Sequence, residues 1–302
     1  MSPLSELLSP PDVWPHEGVA EWWKKAAPFA SRGEPRDLAL ALGIRADRLA
    51  YAFAGGYLAA LAALFPPERE LRPGALCATE AGGVHPSAIQ TRFANGRVTG
   101  DKTFVTLAHH AEVLYVLARE GERSDGRAQL ALVKVEAKGS GVEVNALPEL
   151  PFVPEIGHAA VRLDDAPALR LDGDGWSDYV RPFRTVEDAH VHLAYLAWQL
   201  GNLRRWDADE ALIEEGLGIV GALRDVAIAD PARAETHLAL AAVIKATATF
   251  SEAVDWSLAP AVEAQRWQRD ATLLRVASKA REKRRLRAWQ EIRARGAAPA
   301  PR

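Results

Sequence analysis

Cys77-Ala78-Thr79-Glu80-Ala81-Gly82-Gly83, Ile89-Gln90-Thr91-Arg92 and Gly100-Asp101-Lys102-Thr103-Phe104-Val105-Thr106-Leu107-Ala108, with Asn95-Gly96 between the second run and the third, decide how this chain is read. The runs are short, rich in strand-forming residues and cut by glycine. Asn95-Gly96 predicts a tight hairpin, because both residues tolerate the positive φ that a primed two-residue turn demands. Phe104 and Thr106 stand two apart, so on a regular strand they share a face.

The same pattern extends on both sides. From Pro73 to about Gly173 it gives strands near 75–78, 89–93, 97–105, 113–118, 128–135, 142–144 and 159–163, an all-β unit. Before it, Trp22, Trp23 and Phe29 sit on a helical stretch ending near Ser31, and 37–42 and 47–64 give two more helices, the last stopped by Pro66-Pro67. After Gly175 the chain reads as four long helices, about 178–205, 208–229, 232–257 and 261–294. Asp207 can cap the second, Asp230-Pro231 punctuates the next junction and Pro260 opens the last. Short links between long helices imply an antiparallel bundle. The expected architecture is α+β in three parts: a shortened N-terminal helical domain (1–72), a middle β-barrel or sandwich domain (73–174) and a C-terminal four-helix bundle with a basic tail (175–302), ending in an Ala/Pro-rich stretch expected to be disordered.

Composition narrows the function classes. The chain has 302 residues, 48% hydrophobic and 25% charged, which fits a soluble protein with more than one core. A formal charge of −3 offers no general footprint for nucleic acid. Nine Lys/Arg and two Glu between Arg275 and Arg295 make a local +7, so the rest of the chain carries −10. That basic stretch is expected to dock on acidic surface of its own or a sister subunit, such as Asp207, Asp209, Glu210, Glu214 and Glu215, rather than to grip nucleic acid. A single cysteine, Cys77, leaves no intrachain disulfide framework and no multi-cysteine metal site, and favours the cytoplasm. Residues 1–15 lack the pattern of a secretory signal, and the uncharged run 49–67, rich in alanine, reads as a buried helix rather than a membrane span.

The quoted runs, together with Ala111-Glu112 and Val116-Leu117-Ala118, closely resemble the middle domain of the acyl-CoA dehydrogenase family over roughly 45 residues. That family pattern is a Thr-Glu pair followed by Gly-Ser-Asp, a hairpin, and Gly-x-Lys-x-aromatic-Ile/Val-Thr/Ser. Gln265-Arg266-Trp267-Gln268-Arg269-Asp270 resembles the Arg-Asp that opens the family's last helix, and 181–191 falls where its first long bundle helix begins. The resemblance implies FAD, an acyl-thioester substrate, an electron-acceptor flavoprotein, no membrane and a homodimer or homotetramer. It implies α,β-dehydrogenation, in which a base takes the α-proton and the flavin accepts a hydride from the β-carbon. A flavin ring is flat, apolar on its faces and polar along one edge. Phe104 would be its wall and Thr106 an edge contact; Thr79, with the backbone of Leu76 and Ala78, would add more from a neighbouring strand, and His85 stands where the family's Ser meets phosphate and thioester. The plain alternative is that Phe104 is core and both threonines are ordinary strand residues.

The departures bear on activity. Gly-Ser-Asp is here Val84-His85-Pro86, and no Gln-x-x-Gly-Gly segment is present. The family's glutamate base falls on Ser278, whose hydroxyl is too weak a base at neutral pH. Some members keep the base near the start of the first bundle helix, where Glu187 and Asp188 lie; the alternative is that these are helix-start acids favoured by the dipole. His109-His110 is expected to be solvated, His190 and His192 do not share a helix face and so form no metal site, and Cys77 is expected to be buried packing. Two functions remain: a flavin-dependent acyl-thioester dehydrogenase, or an inactive scaffold or partner subunit that has lost the cofactor. A third, an anion-binding module built on the basic helix, ranks behind them.

Overall fold

The computed structural model describes residues 3–9, 11–15, 18–30, 33–65 and 72–297, so Pro66-Pro67 and the end of the Ala/Pro tail lie outside the described residues. Helices α1 (Pro3–Leu8), α2 (Val19–Ala30), α3 (Pro35–Arg45) and α4 (Leu49–Leu64) lead into strands β1 (Gly74–Cys77), β2 (Arg92–Ala94), β3 (Arg97–Thr106), β4 (Val113–Glu122), β5 (Ala128–Glu136), β6 (Val142–Ala146), β7 (His158–Pro167) and β8 (Leu169–Arg170). Helices α5 (Arg181–Arg205), α6 (Glu210–Ile228), α7 (Ala234–Ala253), α8 (Ala261–Asp270) and α9 (Ser278–Ala297) follow. The architecture is α+β, and no described helix is long and apolar enough to cross a membrane. The chain forms two compact units, one of His16–Arg32 with Leu64–Arg184, the other of Met1–Pro15, Gly33–Ala63 and Thr185–Arg302.

In the β unit one eight-stranded sheet runs β6-β7-β3-β2-β4-β5-β8, with β1 pairing parallel to β4. The hairpin expected at Asn95-Gly96 is there: both residues have positive φ (52° and 74°) and Ala94 pairs with Arg97 across it. The sheet curls round one apolar core. Alternate residues Leu114, Val116 and Ala118 of β4 meet Ala131, Val133 and Val135 of β5 and Val161 and Leu163 of β7. The other face of β4 is covered too, Phe65 stacking on Tyr115 with centroids 3.8 Å apart. The run expected to begin a strand at Ile89 becomes one only at Arg92, because Pro86-Ser87-Ala88 takes a 3-10 turn.

The helical unit is discontinuous in sequence, and glycines set its tightest approaches. Helix α4 is buried nearly all round, from Leu49 to Leu61, as expected of a core helix. A Cβ on Gly56 would stand 2.5 Å from Val191 Cα on α5, and one on Gly43 of α3 would collide with the carbonyl of Ala194. The backbones touch because nothing projects between them. The last bundle segment is not one helix: α8 ends at Asp270, a 3-10 stretch takes Ala271–Arg275, and α9 starts at Ser278. Arg269-Asp270 therefore closes a helix instead of opening the last one. No Gly or Pro lies between 261 and 295 to mark this break; the turn is held by tertiary contact, Arg281 donating to Leu274 O at 2.7 Å while its other nitrogens reach helix α5.

Gly56→Ala should lower the stability of the helical unit by about 1–3 kcal/mol, since the new methyl meets backbone that cannot rotate away. The denaturant midpoint, read by far-UV circular dichroism at unchanged slope, measures it.

Candidate functional site

Strand β3 starts with its even-numbered residues facing in: Val98 and Lys102 are buried, with Asp101 exposed between. Continued alternation would put Phe104 in the core. Instead Lys102 pairs with Val161 and Val105 with Ala159, so two residues, Thr103 and Phe104, oppose Ala160 alone. This is a β-bulge, with Phe104 in the left-handed region at φ 51°. The bulge reverses the phase of the strand. Val105 turns inward, Phe104 is 62% exposed, and Thr106, half-buried, shares the outer face with it. A large aromatic at positive φ is strained, and Phe104 lies outside the core of the β unit.

Beside this face runs the segment that continues β1. Leu76 lies opposite Tyr115, Ala78 is buried, and Thr79 O accepts from Thr103 N at 2.9 Å, fastening the two segments edge to edge. Leu76, Ala78, Thr79, Phe104 and Thr106 are thus brought together on one unit. An outward aromatic flanked by two half-buried threonines fits a flat ring with a polar edge. His85 stands elsewhere in the local chemistry: exposed, it caps the 3-10 turn, its Nδ1 accepting from Ser87 N at 3.3 Å.

A buried ion pair fixes the bulge from within, and the sequence motif alone did not flag it. Lys102 Nζ donates to Glu80 Oε1 at 2.7 Å and to Leu117 O at 2.5 Å. Glu80 Oε2 accepts from Gln90 N at 2.7 Å, and Oε1 from Thr91 N at 3.1 Å. Burial opposes charging Glu80, but the Lys102 ammonium and the two amides outweigh it and hold the carboxyl below its ordinary value. Cys77, next door and fully buried, is pushed up to about 12 by burial and is an inert core thiol. In the turn after β3, burial and then the neighbouring His109 lower the pKa of His110.

In the helical unit the two candidate bases part company. Asp188, 7% exposed, is gripped by two guanidiniums of α9: Arg281 reaches Oδ1 at 2.9 Å, and Arg284 takes Oδ2. It fastens α9 to α5, so its carboxylate is committed to a structural ion-pair network. Glu187, one residue earlier, is half-buried. The basic segment does dock on acidic partners of its own chain, but these are Asp188 and, through Arg295 at 2.7 Å, Glu235. Among the described residues, the ion pairs of this segment go to Asp188, to Glu235 and to acids of α9 itself, and none within the chain goes to the cluster at 207–215. Ser278 opens α9. His190 and His192 are buried, each with Nδ1 on a carbonyl one turn back, Val186 O at 2.8 Å and Asp188 O at 2.7 Å. Burial holds both at about 4, with Arg281 pushing His192 the same way.

Three outcomes are expected. Lys102→Met, which strands Glu80, should cost about 3–5 kcal/mol of stability and, by releasing the bulge, more than that of any ligand affinity at Phe104; chemical denaturation measures the first. Because the histidine pKa values are depressed on folding, their neutral forms support the fold above about 6.5, and stability falls as pH drops from there towards about 4. The pair His190→Asn, His192→Asn should flatten that slope in urea titrations from pH 7 to 4. Asp188→Asn should loosen α9, read as faster tryptic cleavage between Arg269 and Lys279 that salt enhances little, since the wild-type pair is buried.

No protein-family model and no curated protein sequence matches the chain. Solved structures do. Butyryl-CoA dehydrogenase from Megasphaera elsdenii is 13% identical over 90% of this chain and 86% of that one, with a TM-score of 0.62. The prolyl acyl carrier protein oxidase AnaB is 14% identical over 91% of both chains, with a TM-score of 0.64. PigA, solved with FAD and proline, is 13% identical over 89% and 88%, with a TM-score of 0.63. Over nine-tenths of its length, the chain has the fold of the acyl-CoA dehydrogenases and their flavoprotein relatives.

Proposed function

We propose that the protein is a flavin-dependent oxidoreductase acting on acyl thioesters, with FAD as its cofactor. The observation that carries this reading is the phase reversal of β3, which spends backbone strain to turn Phe104 outward on the face of Thr106, beside the segment that holds Thr79. Strain of this kind clusters at ligand sites. The fold neighbours support the same class: one was solved with FAD, and others are named for CoA or acyl carrier protein thioesters. Phe104 would pack on the ring face, Thr106 and Thr79 would hydrogen-bond its edge, and the backbone at Leu76 and Ala78 would complete that edge. When bound, flavin supplies a two-electron acceptor for hydride. What this chain adds is orientation, exclusion of water and a base for the α-proton. Glu187 and Asp188, at the start of α5, are our candidates for that base, and Arg281 and Arg284 pair with Asp188. We further propose a homodimer or homotetramer and an electron-accepting flavoprotein as partners, and a cytoplasmic location.

A second reading, a scaffold that kept the fold and lost the cofactor, draws on Asp188, on Ser278 at the family's base position and on His85 serving its own turn. The absorption spectrum of the purified protein titrated with FAD separates them. Flavin bands between about 350 and 500 nm, lost in Phe104→Ala, Thr106→Ala without unfolding, support the enzyme; a colourless protein that no FAD titration loads supports the scaffold. On the loaded protein, Glu187→Gln should slow acyl-dependent bleaching by at least about a hundredfold while keeping the flavin. An unchanged rate removes Glu187 from the reaction.

A further inference from the structure

Strand β7 has two faces. Ala159, Val161 and Leu163 are buried in the core of the sheet, so the alternate residues His158, Ala160 and Arg162 turn the other way. Val105 pairs with Ala159 on the inner face, and the next pair, Thr106 with His158, therefore lies on the outer one. Residues directly opposite on one face hold their Cβ atoms about 4.5–5.5 Å apart, so the two side chains are neighbours. Ala160, opposite the bulge, sets only a methyl group beside Phe104. His158 thus belongs to the face that the bulge turns outward.

The backbone around His158 is held from both sides. Leu147 N, just past β6, donates to His158 O, and Leu107 N, just past β3, donates to Gly157 O, each at 2.9 Å. The segments that flank it carry three non-glycine residues in the left-handed region: Phe104 at φ 51°, Leu107 at φ 60° and Val153 at φ 40°, the last β-branched and buried. Ile156 N closes the turn on Val153 O at 2.9 Å, two residues before His158. A β-branched residue in that region is costly, and costs of this kind concentrate at ligand sites.

His158 is half-buried, and burial pushes its imidazole below the ordinary value while the Ile156 backbone works the other way. At neutral pH the ring is therefore uncharged, with one N–H and one lone pair. Such a ring suits the polar edge of a flavin, which presents carbonyl oxygens and a ring N–H side by side. A threonine hydroxyl carries a single proton, so an imidazole next to it supplies a second donor together with an acceptor. We propose that His158 is a further contact to the polar edge of the flavin ring, hydrogen-bonding it from β7 alongside Thr106; this rests on the flavin reading above.

The test titrates the full chain with FAD and follows flavin fluorescence and absorption. His158→Leu should raise the Kd for FAD about tenfold, the scale of one lost hydrogen bond. It should also shift the long-wavelength absorption band of the flavin that does bind, because that band reports hydrogen bonding to the ring and not to adenine or phosphate. His158→Gln, which keeps a donor and an acceptor, should restore most of both. Should His158→Leu fail to fold by far-UV circular dichroism, the wild type decides: bound FAD should protect His158 from carbethoxylation by diethyl pyrocarbonate, read by peptide mass spectrometry. A wild type that no FAD loads overturns the flavin reading and this contact with it. Wild-type affinity and spectrum in His158→Leu, or equal modification of His158 with and without FAD, overturn the contact and leave the flavin reading standing. Weakened binding with an unshifted band also overturns it, by moving the effect of His158 away from the ring.

Discussion

Lys102 is the residue on which the β unit turns. Its ammonium, buried to 1% exposure, must meet Glu80 and the Leu117 carbonyl inside the sheet, and so pins its strand position inward. With Lys102 fixed there, a regular strand would bury Phe104 two residues on. Only an inserted residue sends Phe104 and Thr106 out while Val105 goes in. The same pair ties the turn after Thr79 to β3, since Glu80 also holds the amides of Gln90 and Thr91. A charge pair of this kind adds little net stability over an apolar substitute, but its rupture leaves a buried charge, so it acts by excluding other registers.

Much of this was legible in the residues. Asn95-Gly96 specified its hairpin because positive φ at two consecutive positions is a local requirement that few residue pairs meet. Strand positions followed from alternation, and the resemblance of Thr79-Glu80 and 100–108 led to the fold. What failed to show was whatever depends on partners distant in sequence. The phase reversal at Phe104 needs Lys102 to find Glu80, and the break after Asp270 has no Gly or Pro to announce it. The fastening of Asp188 by Arg281 and Arg284, from 93 and 96 residues away, gave no local sign of itself either.

The basic last helix illustrates how charge is absorbed. Two of its guanidiniums, those of Arg281 and Arg284, share one buried aspartate, Arg285 pairs with Glu282 within the helix, and Glu235 and Glu291 take Arg295 at its far end. Burial makes the single anchor stronger than several exposed ones, where solvent screens each pair. Lys279, Lys283 and Arg287 face a shallow surface groove beside Leu286 and Gln290, so part of the helix stays turned to solvent.

The glycine contacts of α3 and α4 with α5 also order events on the ribosome. Helix α4 is apolar on every side, yet the surface that Gly43 and Gly56 are shaped to meet, around Val191 and Ala194, is made roughly 135 to 150 residues later. At ordinary elongation speeds that is on the order of ten seconds. During that interval Leu64–Arg184, the greater part of the β unit, is synthesised, while α3 and α4 wait for their partner. Vectorial synthesis thus favours folding the inserted sheet before α3 and α4 meet α5.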